Sequence, residues 1–218
     1  MLKKLYTFFV AGLFGVSTVT ACVSNIKQDT NNSKQTIEEI KMEGKILVVY
    51  FSRAGENYNV GYINEGNTAI IADMIAESTK ADKFEIVPEK EYPADYNECI
   101  EVAQQEKRSN ARPAVKGDIA IENYDVIFIG YPNWWGEIPM CVYSFIEKHD
   151  WNGKTVIPFI THEGSGMGGT DSKIAKATTG SNTLVGKGLA VQGKVAQENR
   201  SSAKKSVDYW LSGLGFSK

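Results

Sequence analysis

From residue 45 onward the hydrophobic positions fall into short blocks, and five of these blocks have strand character: residues 45–51 (KILVVYF), 83–88, 125–131 (DVIFIGY), 155–161 (TVIPFIT) and 188–192. The first, third and fourth are apolar at nearly every position instead of every second one, which is the pattern of a strand buried on both faces of a parallel sheet. Between the blocks the apolar period changes to that of a helix. Ile71, Met74, Ile75 and Ser78 share one face, as do Val142, Phe145, Ile146 and His149, and Val207, Trp210, Leu211 and Leu214. The longest stretch without strand character, residues 89–123, contains a segment at 96–108 that can form a further helix. Alternation of strand and helix predicts an α/β fold with a five-stranded parallel sheet.

The first 43 residues have a different pattern. A basic start at Met1–Lys4 precedes an apolar run at residues 5–16 that is short for a membrane span, and Val19-Thr20-Ala21-Cys22 follows. This is the layout of a signal peptide. Its end resembles a bacterial lipobox, in which small residues admit the peptidase and the Cys22 thiol accepts diacylglycerol; an uncleaved anchor, or an ordinary signal peptide with a chance cysteine, is the competing reading. Loss of residues 1–21 removes Lys3 and Lys4 and moves the formal charge from −2 to −4. Two or more acyl chains hold a protein stably where one does not, so a membrane-anchored lipoprotein of the cell envelope is expected. Residues 22–43 turn to Ser, Asn, Gln, Thr, Lys and Glu and read as the lipidated tether, leaving residues 44–218 as one globular domain.

Composition narrows the function. With 24 Lys+Arg against 26 Asp+Glu and no run of like charge, the chain lacks the basic face that a phosphate backbone requires, so nucleic acid is not an expected partner. Three cysteines and two histidines argue against a zinc cage or a disulfide framework. Several motif-like stretches fail on their chemistry. Residues 61–68 have the Walker A spacing, but Asn67 stands where the lysine belongs. No G-x-G-x-x-G follows the first strand, and Gly166 removes the second ligand of an H-E-x-x-H site begun by His162-Glu163. Cys99 and Cys141 belong to no motif and are expected to pack as small apolar residues.

In an open parallel sheet, ligands sit beyond the carboxyl ends of the strands. Three loops therefore matter: residues 52–68 after the first strand, Pro132-Asn133-Trp134-Trp135-Gly136 after the third, and residues 162–166 after the fourth. A helix starting at Thr68 after a Gly-Asn turn offers free N–H groups, with Ser52 and Thr68 as hydroxyl donors, and that is a monophosphate site. Taken alone, Gly-Asn-Thr reads first as a plain helix start capped by Asn67. Two adjacent tryptophans on one loop cannot easily both face a core, so at least one should face a ligand. Together the loops describe a planar heterocycle carrying one phosphate, a description that flavin mononucleotide (FMN) fits.

The segments YFSRAGENY, GNT, YPNWWGEIP and THEGSG, in this order, resemble the flavodoxin-like family, in a branch with an insertion in the phosphate loop, from Lys45 to about Gly213. The resemblance implies a three-layer sandwich with strand order 2-1-3-4-5 and FMN as cofactor. It implies phosphate contacts from Ser52, Ala54, Asn67 and Thr68, and flavin contacts from Pro132, Asn133, Trp134, Trp135, Gly136, Thr161, His162, Glu163 and Gly164. Arg53 lies in a variable part of the same loop. The expected function is electron transfer to a redox partner protein or small acceptor, with no catalytic side chain required. The alternatives are an NAD(P)H-dependent FMN reductase acting on quinones or similar acceptors, with Tyr92, Tyr96 and the insertion at residues 56–65 forming or blocking the room it needs, and a binding lipoprotein that has lost FMN. Without a twin arginine, Sec export of the unfolded chain is implied, and FMN would load outside the cytoplasm.

Overall fold

The computed structural model describes residues 44–216, so the expected signal peptide, Cys22 and the tether lie outside the described residues. Five parallel strands make the central sheet: β1 (Ile46–Tyr50), β2 (Asp82–Glu85), β3 (Val126–Pro132), β4 (Thr155–His162) and β5 (Leu189–Gln192). Their order is β2-β1-β3-β4-β5, the 2-1-3-4-5 arrangement.

Residues alternate between two cores, one on each face. Leu47, Val49, Ile127, Ile129 and Tyr131 pack on the face of α3 (Met140–Ile146) and α4 (Thr170–Ala177). Val48, Tyr50, Val126 and Phe128 pack on the face of α1 (Asn67–Thr79) and α6 (Arg200–Gly213), with Ile71 and Ile75 of α1 and Val207 and Leu211 of α6 buried there. The near-continuous apolarity of β1, β3 and β4 is thus explained by two covered faces. A further helix, α2 (Tyr96–Ser109), lies in the β2-to-β3 connection, capped by the Asp95 carboxylate accepting from the Glu98 amide. The six-residue α5 (Gly193–Glu198) directly precedes α6. Among the described residues no helix is long and apolar enough to cross a membrane.

Two strands differ from expectation. The second ends at Glu85, and Val87–Pro88 leaves the sheet to pair antiparallel with Val115–Lys116. Pro88 has no N–H to continue a ladder. The fifth strand position is split, because Asn182–Thr183 runs beside the start of β4 and β5 beside its end. Pro158 explains the gap. The carbonyl of Val156 accepts from the Leu184 amide on this side of β4, so the side that faces the fifth position lacks a donor at Pro158, two residues on. Residues 184–188 bow out there and are held instead by the Gly186 amide donating to the buried Asp171 carboxylate at 2.8 Å.

At the middle of β3, Gly130 lies beneath the fully buried ring of Phe159, where a Cβ would overlap the ring. Gly130→Ala should destabilise the protein by about 1–3 kcal/mol through overpacking. The urea midpoint reads this loss, and Phe159→Leu in the same chain should recover part of it.

Candidate functional site

The loop after β1 returns to within contact of its own start. Residues Gly55–Asn57 and Gly61–Ile63 form an antiparallel hairpin whose turn is closed by Asn59 (φ +66°) and Gly61 (φ +70°). The chain then comes back at Gly66, where a Cβ would overlap the Ser52 hydroxyl and the Arg53 backbone. Gly66 is therefore the close-approach glycine, while Gly55 (φ +90°) makes the sharp turn into the hairpin against the Ala94 carbonyl. Helix α1 begins at Asn67 with Gly66 as its N-cap, one residue earlier than expected. The Ser52 hydroxyl accepts from the Ala69 amide at 3.0 Å, and the amides of Asn67 and Thr68 make no hydrogen bond within the described protein.

Two side chains of the expected cofactor site are engaged elsewhere. Thr68 is 1% exposed, and its hydroxyl pairs with that of buried Thr161 at 2.7 Å, so the side chain is engaged inside the fold. Arg53 donates to the carbonyls of Pro93, Ala94, Asp95 and Glu56, which makes it a brace between the hairpin and the approach to α2. Its guanidinium satisfies backbone acceptors in place of an anion. Ala54 is exposed and lines a separate cleft beyond the loop with Tyr62, Ile86 and Pro88.

After β3, Trp134 and Glu137 bond to each other across a tight turn whose central residues, Trp135 (φ +59°) and Gly136 (φ +69°), are both left-handed. This is the dihedral pattern of a type I′ turn, and it is uncommon for a residue as bulky as tryptophan. Lys107 donates to the Trp135 carbonyl at 2.6 Å and Lys173 to that of Gly136 at 3.0 Å, which holds the turn from α2 and α4. The Asn133 side chain accepts from the Gly136 amide and donates to Ser165, tying this loop to the next. The two tryptophans have separate fates. Trp134 is half-buried, edge-on to Phe51 (5.3 Å) and Tyr92 (4.8 Å), whereas Trp135 is 50% exposed.

After β4, the Gly164 amide (φ +119°) donates to His162 Nδ1, and burial holds the His162 pKa below its ordinary value, so the imidazole stays an acceptor. Glu163 accepts from the Lys194 amide at 2.9 Å with one oxygen and from Asn59 Nδ2 at 3.0 Å with the other. Asn67 accepts from Gln197 of α5, and Gly193 fits between Asn67 and Glu163 because it has no side chain.

These loops enclose a cavity of about 250 Å³ at the carboxyl ends of β1, β3 and β4. It is lined by Arg53, Asn67, Pro132, Asn133, Trp134, Trp135, Thr161, His162 and Glu163 of the expected residues. Ser52, Thr68, Gly136 and Gly164 lie in these loops without lining the cavity, and Ala54 faces the separate cleft. The opposite wall was foreseen in part, at Tyr96 and the insertion, but not at Cys99, Ile100 and Ala103. It consists of Asn57 and Tyr58 from the hairpin and Tyr96, Cys99, Ile100 and Ala103 from α2. The spacing of 99, 100 and 103 marks an apolar stripe on an otherwise polar helix, and that stripe was the available signal. Cys99 is buried as expected and burial pushes its thiol pKa up, yet it forms part of the cavity wall.

Residues 45–211 match the family model described as Flavodoxin. The chain belongs to the flavodoxin family. Among solved structures, this flavodoxin-family chain is similar to a protein of Bacteroides uniformis assigned as a flavoprotein, at 32% identity and a TM-score of 0.58 over 74% of this chain and 96% of that one. A second such protein, from Bacteroides eggerthii, is 29% identical with a TM-score of 0.62 over 80% and 100% of the two chains. A flavoprotein of Lactobacillus acidophilus solved in complex with FMN shares the fold, with 23% identity and a TM-score of 0.53 over 73% and 99%. No curated protein gives a significant match.

The buried Thr68–Thr161 pair joins the start of α1 to the end of β4. Either single valine substitution strands the other hydroxyl and should cost about 1–3 kcal/mol. The double variant should cost less than the two singles added together, and urea unfolding of all four proteins measures that coupling.

Proposed function

We propose that the protein is an FMN-binding electron carrier that works outside the cytoplasm, held at a membrane by lipid on Cys22. The observation that carries the cofactor reading is the cavity, which joins an anion-binding end to a flat aromatic and apolar end. At the first end Asn67 lines the cavity; its amide and the adjacent Thr68 amide make no hydrogen bond within the described protein at the positive end of the α1 dipole, and Gly66 lets the chain approach closely. At the second end, Trp134 is immobilised by its edge contacts and Trp135 is exposed beside it, facing the apolar stripe of α2 across the cavity. A planar ring with a single phosphate matches both ends, and the FMN in the Lactobacillus acidophilus relative supports this choice.

Bound FMN supplies one- and two-electron chemistry. The protein contributes position and field: oriented amides hold the phosphate, aromatic rings stack on the heterocycle, and Cys99, Ile100 and Ala103 exclude water from one side. The carboxylate of Glu163 lies in the cavity wall, where it disfavours added negative charge. The hairpin at Gly55–Ile63 is then the insertion that splits the phosphate loop.

Titration of the purified full chain with free flavins tests the cofactor. FMN fluorescence should be quenched at concentrations at least tenfold lower than riboflavin needs, because one charge-assisted hydrogen bond already contributes about 1.5–3 kcal/mol. Equal affinities would remove the phosphate site. Dithionite should bleach the complex reversibly while NADPH alone leaves it yellow; bleaching by NADPH would favour the reductase.

Cys22→Ala should abolish acyl labelling and release the protein from the membrane fraction, since the thiol is the acceptor beside the expected cleavage site. Unchanged labelling and fractionation would overturn the anchor.

A further inference from the structure

We propose that the hairpin Gly55–Ile63 is a hinged gate over the cavity, latched by the hydrogen bond from Asn59 to Glu163, and that flavin enters and leaves when it opens. The proposal rests on the FMN reading above. The base of the hairpin is pinned: the Glu56 amide donates to the Ala94 carbonyl at 2.8 Å, and Arg53 donates to the Glu56 carbonyl at 2.6 Å while holding the carbonyls before α2. The tip is not. Its side-chain ties to the rest of the described protein are the exposed Asn59–Glu163 bond of 3.0 Å and the tilted contact of Tyr58 with Tyr96 at 6.2 Å. Tyr58 lines the cavity and is nevertheless 63% exposed, so water competes for both ties. Glu163 is the fixed half of the latch, because its other oxygen is held by the Lys194 amide, whereas Asn59 moves with the hairpin. A stiff base with a tip held by one polar bond across the cavity mouth describes a hinge.

The latch can be cut at Asn59 without straining the turn. Its left-handed φ of +66° suits Asn, Asp and Gly, so Asn59→Asp places a carboxylate against Glu163 in the same shape, and Asn59→Gly deletes the side chain. Stopped-flow quenching of free FMN by the full-length apoprotein gives the association rate, and release into excess apoflavodoxin from another source gives the dissociation rate. Both rates should rise in both variants, by about tenfold in Asn59→Asp as expected for loss of a hydrogen bond to a carboxylate, with Kd changing less than either rate. Chymotryptic nicking after Tyr58 or Tyr62 in the apoprotein should accelerate in parallel, a readout that needs no flavin. Parental rates in both variants overturn the gate, as does faster nicking without faster exchange. A rise in the dissociation rate alone also overturns it, since Asn59 would then be a simple ligand contact. A parent that never quenches FMN overturns the cofactor reading and the gate together, whereas a parent that binds FMN at rates the variants share overturns the gate alone.

Discussion

Leu47 and Val49 face one core and Val48 and Tyr50 the other, so β1 is caught between two helical layers and cannot shift by one residue without exchanging them. The same holds for β3, where Ile127 and Ile129 oppose Val126 and Phe128. Register follows from this two-sided burial. Tyr50 pairs with Gly130, and Gly130 with Phe159, so β1, β3 and β4 run level toward one edge. Three loops distant in sequence emerge there together because the strands that carry them have no other way to be buried.

Much of the polar chemistry at that edge serves to hold the loops. Ser52 caps α1 from outside the helix, Arg53 gathers four backbone carbonyls, Asn133 links two loops, and Glu163 joins α5 to the hairpin. Each satisfies a backbone or side-chain group that would otherwise be left unpaired as the loops close. What remains unspent is small: two amides at the head of α1, the exposed face of Trp135 and the apolar stripe of α2. A site whose supporting polar groups already have partners loses little entropy when a ligand arrives, which is the physical meaning of preorganisation.

The strained turn at Trp135 fits the same account. A left-handed tryptophan is uphill on its own, and two lysines from different helices bind the carbonyls of the two left-handed residues, Trp135 and Gly136. The tertiary structure therefore maintains a conformation that the local sequence disfavours, and it does so at the rim of the cavity.

The α/β class was legible because it depends on periodicity: continuous apolar blocks in β1, β3 and β4, and helical spacing at Ile71, Ile75, Val207 and Leu211, report burial directly, whereas the strand order followed from the resemblance to flavodoxins and not from the pattern. The loops that build the cavity were legible for the same reason, since they follow those strands. The roles of single side chains were not. Thr68 and Arg53 belong to residue types that bind anions, but Thr68 meets Thr161, 93 residues away, and Arg53 meets carbonyls some 40 residues on. The split at β5 and the α2 wall likewise arise from long-range neighbours, one from the missing amide of Pro158 and the other from where the β2-to-β3 connection comes to rest. Periodicity records whether a residue is buried, which the chain carries locally; the partner it is buried against is a property of packing, and only the folded chain supplies it.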